Sequence, residues 1–205
     1  MSTPTSTPHA PHHTPHARGL LVVISGPSGV GKTTITHRLV DRLKAVFSVS
    51  MTTRPKTPAD TEGLDYYFVD QARFDQAVKD GELLEWARVF DRCYGTPRKP
   101  VMDNLAAGRD VIVEIDVNGG EQVKKSFPEA LSIFVLPPSE DELLARLRRR
   151  AREDEAKIQR RFSEAKREIA QAKADNAYDH FIVNEQLDKA VDDAYAIVQK
   201  YRAAV

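Results

Sequence analysis

The chain has 205 residues, enough for one well-cored domain and short for two independent ones. Its 30 Lys and Arg balance 30 Asp and Glu, so no whole-molecule field draws it to nucleic acid or to a membrane surface, and any anion preference must be local. The lone cysteine, Cys93, excludes an intrachain disulfide, no apolar run reaches membrane-spanning length, and the N-terminus lacks a secretory pattern, so a soluble cytoplasmic protein is expected.

Residues 1–18 are almost wholly Thr, Pro, Ser, His and Ala, with too little apolar side chain to offset the entropy of ordering, and they read as a disordered tail. His9, His12, His13 and His16 in that tail have no cysteine, carboxylate or regular scaffold beside them, so adventitious metal binding is the most they offer. From Gly19 the pattern changes. Leu20 to Ile24 is a continuous apolar run, as in a strand covered on both faces. A Gly-rich segment ends it, and from Lys32 onward Ile35, Leu39 and Leu43 recur at helical spacing. Residues 50–96 interrupt the alternation with polar and aromatic groups, a Pro-containing loop and a short strand-like piece, Tyr66 to Val69. Further strands are predicted at Val111 to Ile115, Leu131 to Leu136 and Phe181 to Val183. Ser139 follows Pro137-Pro138 and stands three residues before Glu142, a capping-box spacing that opens a charged helical stretch to Lys173. Leu187, Val191, Ala194, Val198 and Tyr201 mark a last amphipathic helix. This alternation predicts an α/β fold with a parallel sheet flanked by helices.

The segment Gly26-Pro27-Ser28-Gly29-Val30-Gly31-Lys32-Thr33 fits the pattern Gly, four residues, Gly-Lys-Thr, and lies between a strand and a helix, the context such a phosphate loop requires. Its glycines let successive N–H groups converge on phosphate oxygens, and the helix N-terminus adds its positive end. Lys32 is then placed for the β and γ phosphates of ATP, and the Thr33 hydroxyl for Mg²⁺. The predicted strand 110–116 carries Glu114 and Asp116 two residues apart, hence on one face at its end. For either carboxylate alone an ordinary polar strand exit explains as much; beside a phosphate loop both suit the water shell of a metal.

A phosphate loop says nucleoside triphosphate and leaves the acceptor open. Ser50-Met51-Thr52-Thr53-Arg54, Gly63-Leu64-Asp65-Tyr66-Tyr67-Phe68, Glu85-Trp86-Ala87 and Tyr94-Gly95-Thr96 closely resemble the guanylate kinase family. So do Glu114-Ile115-Asp116-Val117-Asn118-Gly119, Pro137-Pro138-Ser139 and Ile182-Val183-Asn184, in order and with compatible spacing from Leu20 to near the C-terminus. The resemblance implies a phosphate-loop kinase core (19–49, 97–137 and 171–205), a GMP-binding region at 50–96 and a lid at 138–170. It implies transfer of the ATP γ-phosphoryl group to GMP, and to dGMP, with Mg²⁺. Glu85 falls at the guanine-reading position, with Ser50 and Thr96 on the O6 side; Arg54, Tyr66 and Tyr94 fall at the GMP-phosphate positions, Glu114 within the GMP set and Asp116 with Thr33 at the metal. A carboxylate accepts both N1–H and the 2-amino group of guanine and is mismatched to adenine. Two positions depart from the family: Thr57 stands where a second phosphate-binding arginine is usual, with Lys56 beside it, and Asp60 stands where glutamate is common. Lys56 lacks the planar fork of arginine and substitutes for it only in part. Within the basic run 146–152 most charges suit a solvated helix face, and the resemblance selects Arg150 and, further on, Arg161 as lid arginines. Two other readings share the fold: an interaction module without catalysis, against which the intact Lys32-Thr33 pair speaks, and a kinase of phosphorylated sugars, which would not need Glu85, Ser50 and Thr96.

Overall fold

A computed structural model describes residues 18–89, 91–150, 154–174 and 176–204, the Arg150 side chain excepted. The expected tail therefore lies outside the described residues up to position 17. Arg18, its last member, stands over the Phe127 ring at 4.8 Å.

In chain order the elements are β1 (Leu21–Ser25), α1 (Lys32–Leu43), β2 (Val46–Phe47), β3 (Met51–Thr52), β4 (Tyr67–Phe68), α2 (Gln71–Lys79), β5 (Leu83–Val89), β6 (Arg92–Pro97) and α3 (Arg98–Ala106). There follow β7 (Val111–Glu114), α4 (Val117–Ser126), β8 (Leu131–Leu136), α5 (Glu140–Arg150), α6 (Glu155–Ala174), β9 (His180–Val183) and α7 (Leu187–Ala204). Five strands form a wholly parallel sheet in the order β2-β7-β1-β8-β9. β1 lies at its centre, and alternate residues feed two cores. Val22 and Ile24 pack with Ile35 and Leu39 of α1 and Val198 of α7; Leu21 and Val23 pack with Val101 and Leu105 of α3 and Val123 of α4. Burial on both faces is why this strand reads as an unbroken apolar run.

The second sheet, β4-β3-β6-β5, is mixed: β3 pairs with β4 in parallel and with β6 antiparallel, and β5 with β6 antiparallel. It has its own small core of Met51, Phe74, Ala77, Leu83 and Cys93. The stretch that broke the alternation in the sequence is thus a separate sheet with one helix, standing at the C-terminal edge of the parallel one.

Ser139 caps α5 as its spacing predicts, its hydroxyl accepting from the Glu142 N–H at 3.1 Å. Along α6, Ile158, Ala165 and Ala172 are buried at intervals of seven, two turns apart, and form the seam against the body. The helix continues unbroken to Ala174, past the expected lid boundary at 170. The strand expected through Asp116 ends at Glu114 instead. Asp116 is the N-cap of α4, its carboxylate accepting from the Gly119 N–H at 2.8 Å, so it leaves the sheet to start a helix and does not share a strand face with Glu114.

Candidate active site

β1 delivers the chain to the middle of the sheet, and residues 26–31 turn it into α1. All three loop glycines have positive φ. At Gly31, with φ 94°, an added Cβ would stand 2.5 Å from Asn184 Nδ2. Glycine there lets Asn184 donate to the Val30 carbonyl at 2.7 Å. Arg146 Nη2 in turn donates to the Asn184 carbonyl at 2.9 Å, so the loop is tied to the end of β9 and to α5. α1 starts with no side-chain cap and no acidic residue in its first turn, which leaves its N–H groups and positive end for an anion. Lys32 Nζ donates to the carbonyls of Gly26 and Pro27, at 2.5 and 3.1 Å, and is held beside the loop.

The loop forms one wall of a cleft of about 400 Å³. Ser50, Tyr66, Glu85, Ala87, Val89 and Tyr94, from the second sheet and the segments that lead into β3 and β4, form the other wall. Glu114, Ile115 and Asp116 lie at its base, and Glu168 of α6 closes one side. Two groups of residues that the sequence keeps far apart therefore face one another across a single cavity.

Glu85 is 5% exposed. The β5–β6 register sets it opposite Thr96, whose hydroxyl donates to Oε1 at 2.6 Å. Burial pushes its carboxyl up to about 7, against the lowering effect of the Thr96 bond. Its other oxygen lies against Gly119: a Cβ there would stand 2.5 Å from Oε2, so the carboxylate would have to shift.

Tyr66 and Tyr94 meet edge to face, with ring centroids 5.8 Å apart. Arg54 stands behind them and not in the cleft lining, 5.2 Å from the Tyr66 ring and 5.3 Å from that of Phe68. Its guanidinium grips Asp60 through both terminal nitrogens, at 3.0 and 2.8 Å. Thr57, a departure from the family pattern, is engaged there too, donating to Asp60 from its N–H at 2.7 Å and its hydroxyl at 2.6 Å. These bonds, those from Arg54 foremost, hold the Asp60 carboxyl well below its ordinary value. Lys56 is exposed, with Nζ 6.0 Å from the Phe68 ring centre.

Thr33 donates its hydroxyl to Glu114 Oε1 at 2.8 Å, and Asp116 lines the same cleft. Among the described residues no three His, Cys, Asp or Glu side chains converge as a metal cage. A hydroxyl and separated carboxylates beside a phosphate loop fit Mg²⁺, which keeps most of its waters and leans on substrate phosphates.

From α6, Arg161 Nη2 donates to Ser28 Oγ at 2.6 Å, which brings the arginine against the phosphate loop. The Arg150 side chain lies outside the described residues. The sequence reading missed Glu168, seven residues after Arg161 and therefore on the same side of α6. Burial raises its carboxyl to about 7, with Lys32 opposing and Asp116 and Glu164 adding to the rise. In sequence nothing but that interval separates it from the solvated acids around it. Gly119 and Asn184 stand in the family-like segments of the sequence, and Asp60 between two of them, but none carries a role there, because each acts through contacts made only in the fold.

A family model for guanylate kinase matches residues 18–201. A guanylate kinase of Thermobifida fusca is 46% identical over 179 residues, covering 87% of this chain and 90% of the relative. One from Rhodopseudomonas palustris is 44% identical over 187 residues, covering 90% and 84%. The crystal structure of guanylate kinase from Anaplasma phagocytophilum superposes with a TM-score of 0.73 at 34% identity, covering 90% of this chain and 86% of that one. Since the match runs through the phosphate loop, the Glu85 hairpin and both helices that follow β8, the chain belongs to the guanylate kinase family.

Proposed function

We propose that this protein transfers the γ-phosphoryl group of ATP to GMP, and to dGMP, giving ADP and the nucleoside diphosphate. The observation that carries this reading is the shared cleft, with a phosphate loop on one wall and the buried Glu85 on the other. Loop N–H groups and Lys32 take the donor phosphates. Glu85 accepts from guanine N1–H and the 2-amino group, oriented by Thr96, while Ser50 donates on the O6 side. Arg54, Tyr66 and Tyr94 hold the acceptor phosphate, and Glu114 completes that wall. Sites that hydrogen-bond a substrate edge reject a mispaired analogue by roughly 10⁴-fold, because buried groups are left unpaired.

Arg161, and Arg150 with it, come against the phosphates as residues 138–170 close, which places positive charge where charge moves in transfer and excludes water. Thr33 and Asp116 are the residues that would hold Mg²⁺. An ion held by these two residues would supply positive charge to offset the negative charge of the donor phosphates. Among the described residues no helix is long and apolar enough to cross a membrane, and a lone cysteine suits the reducing cytoplasm, where we place the enzyme. The Lys32–loop bonds and the Arg161–Ser28 contact favour a kinase over a binding module of the same fold, which would not need them.

A coupled assay with ATP and, in parallel, GMP, dGMP, AMP and a ribose bisphosphate tests the reading. Turnover is expected with GMP and dGMP. No turnover with any purine monophosphate would sink it.

A further inference from the structure

Residues 55–59 are an exposed loop with Pro55 and Pro58 presetting its backbone. It closes as a turn, the Asp60 N–H donating to the Thr57 carbonyl at 3.0 Å. Within this turn the Asp60 carboxylate takes four bonds, two from Thr57 and two from Arg54. The Arg54 fork is thereby divided. One Nη1 hydrogen goes to Asp60 and the other to the Pro55 carbonyl at 3.3 Å, and one Nη2 hydrogen goes to Asp60. What remains is the other edge, Nε–H with the second Nη2–H, a planar pair of donors that matches two phosphate oxygens. The aromatic rings of Tyr66 and Phe68 flank the guanidinium and limit its rotation.

We propose that Asp60, itself held by Thr57, is a positioning residue for the acceptor phosphate: it clamps one edge of Arg54 and aims the other at the phosphate of the nucleoside monophosphate. The proposal rests on the reading of Arg54 as a GMP-phosphate donor. Thr57 then does not replace a missing cation. It fixes the carboxylate that fixes the single arginine, so the site relies on orientation where a second positive charge would otherwise serve. A free carboxylate on a mobile loop could pair with Arg54 from many directions; one already bonded to a backbone N–H and a hydroxyl of its own turn pairs from one.

The test separates the phosphate from the base. Dissociation constants for GMP and for guanosine are measured by competition on the full chain and on Asp60→Asn, Thr57→Val, Thr57→Ser and Arg54→Ala, along with KM for ATP. Asp60→Asn should weaken GMP about tenfold and Thr57→Val about fivefold, with guanosine affinity and KM for ATP unchanged; Thr57→Ser, which keeps the hydroxyl, should recover most of the loss. Unchanged guanosine affinity also shows that each variant is folded. Equal weakening of GMP and guanosine would make the turn a mere scaffold and overturn the proposal. So would a GMP-over-guanosine advantage that Arg54→Ala abolishes and Asp60→Asn leaves intact, a result that spares the Arg54 reading. If Arg54→Ala also leaves that advantage intact, the Arg54 reading fails and takes the proposal with it.

Discussion

Glu85 combines the surroundings of a core residue with the chemistry of a ligand. Its carboxyl holds a proton to about 7 because burial disfavours the charge, whereas the same group in the unfolded chain titrates near 4.5. Between those values the folded state binds more protons than the unfolded one, so stability falls as pH rises, by about 3 kcal/mol in all, and the cost is complete above 7. In the proposed role of this carboxylate, guanine offers it two donors and so needs the ionised form. KM for GMP should therefore fall as pH rises through about 7, with KM for ATP flat; a pH profile of the two constants checks this, and parallel profiles would contradict it. Gly119→Ala puts a methyl group 2.5 Å from Glu85 Oε2, which must then move. It should raise KM for GMP about tenfold or more and leave KM for ATP within twofold, read by steady-state kinetics. At this scale the phosphate loop was legible because its residue types sit at fixed positions in one short segment. Glu85 was legible only through resemblance, since its burial comes from pairing with β6 and from a glycine 34 positions later. Asp116 was misread as part of a strand although Asp is a favoured N-cap and Val117 to Gly120 can start a helix.

Among the elements, α6 carries the two side chains, Arg161 and Glu168, that reach the phosphate loop and the cleft. Its buried seam of Ile158, Ala165 and Ala172 fixes which side faces the body, and Arg161 and Glu168 follow on the flank that reaches the cleft. Arg161→Ala should lower kcat about 100-fold and change KM for GMP less than threefold, because charge at a moving phosphoryl group acts in the transition state and not in acceptor binding. Comparable losses in both constants would count against that role. The core strands β1, β7 and β8 and the cap of α5 were readable, being long apolar runs and a capping box. The second sheet was readable only in part: the strand-like piece expected at Tyr66 to Val69 falls on β4, whereas β3, with two residues, is too short for any periodicity and exists by pairing with β4 and β6.

In the whole molecule the parallel sheet carries the phosphate loop, and the second sheet supplies most of the other wall of the cleft. The larger core of the parallel sheet joins α1 and α7 to β1 and to α5, so the phosphate loop stands directly on packed side chains: Val30 is fully buried, and Leu147 of α5 lies against Gly29. Leu39→Ala, at a fully buried α1 position, should destabilise the protein by about 2–5 kcal/mol, lowering its Tm by roughly 6–15 °C in thermal unfolding. A shift under 2 °C would mean that Leu39 does not contribute to this core as its burial implies. The central claim is that the two walls of one cleft select ATP as donor and a guanine nucleotide as acceptor. The ratio of kcat/KM for GMP to that for AMP, in the unaltered protein and in Glu85→Gln, tests it most directly. The account predicts a preference of roughly 10³-fold or more that falls by at least about tenfold in the variant; equal use of the two acceptors, or a preference that Glu85→Gln leaves untouched, would contradict it.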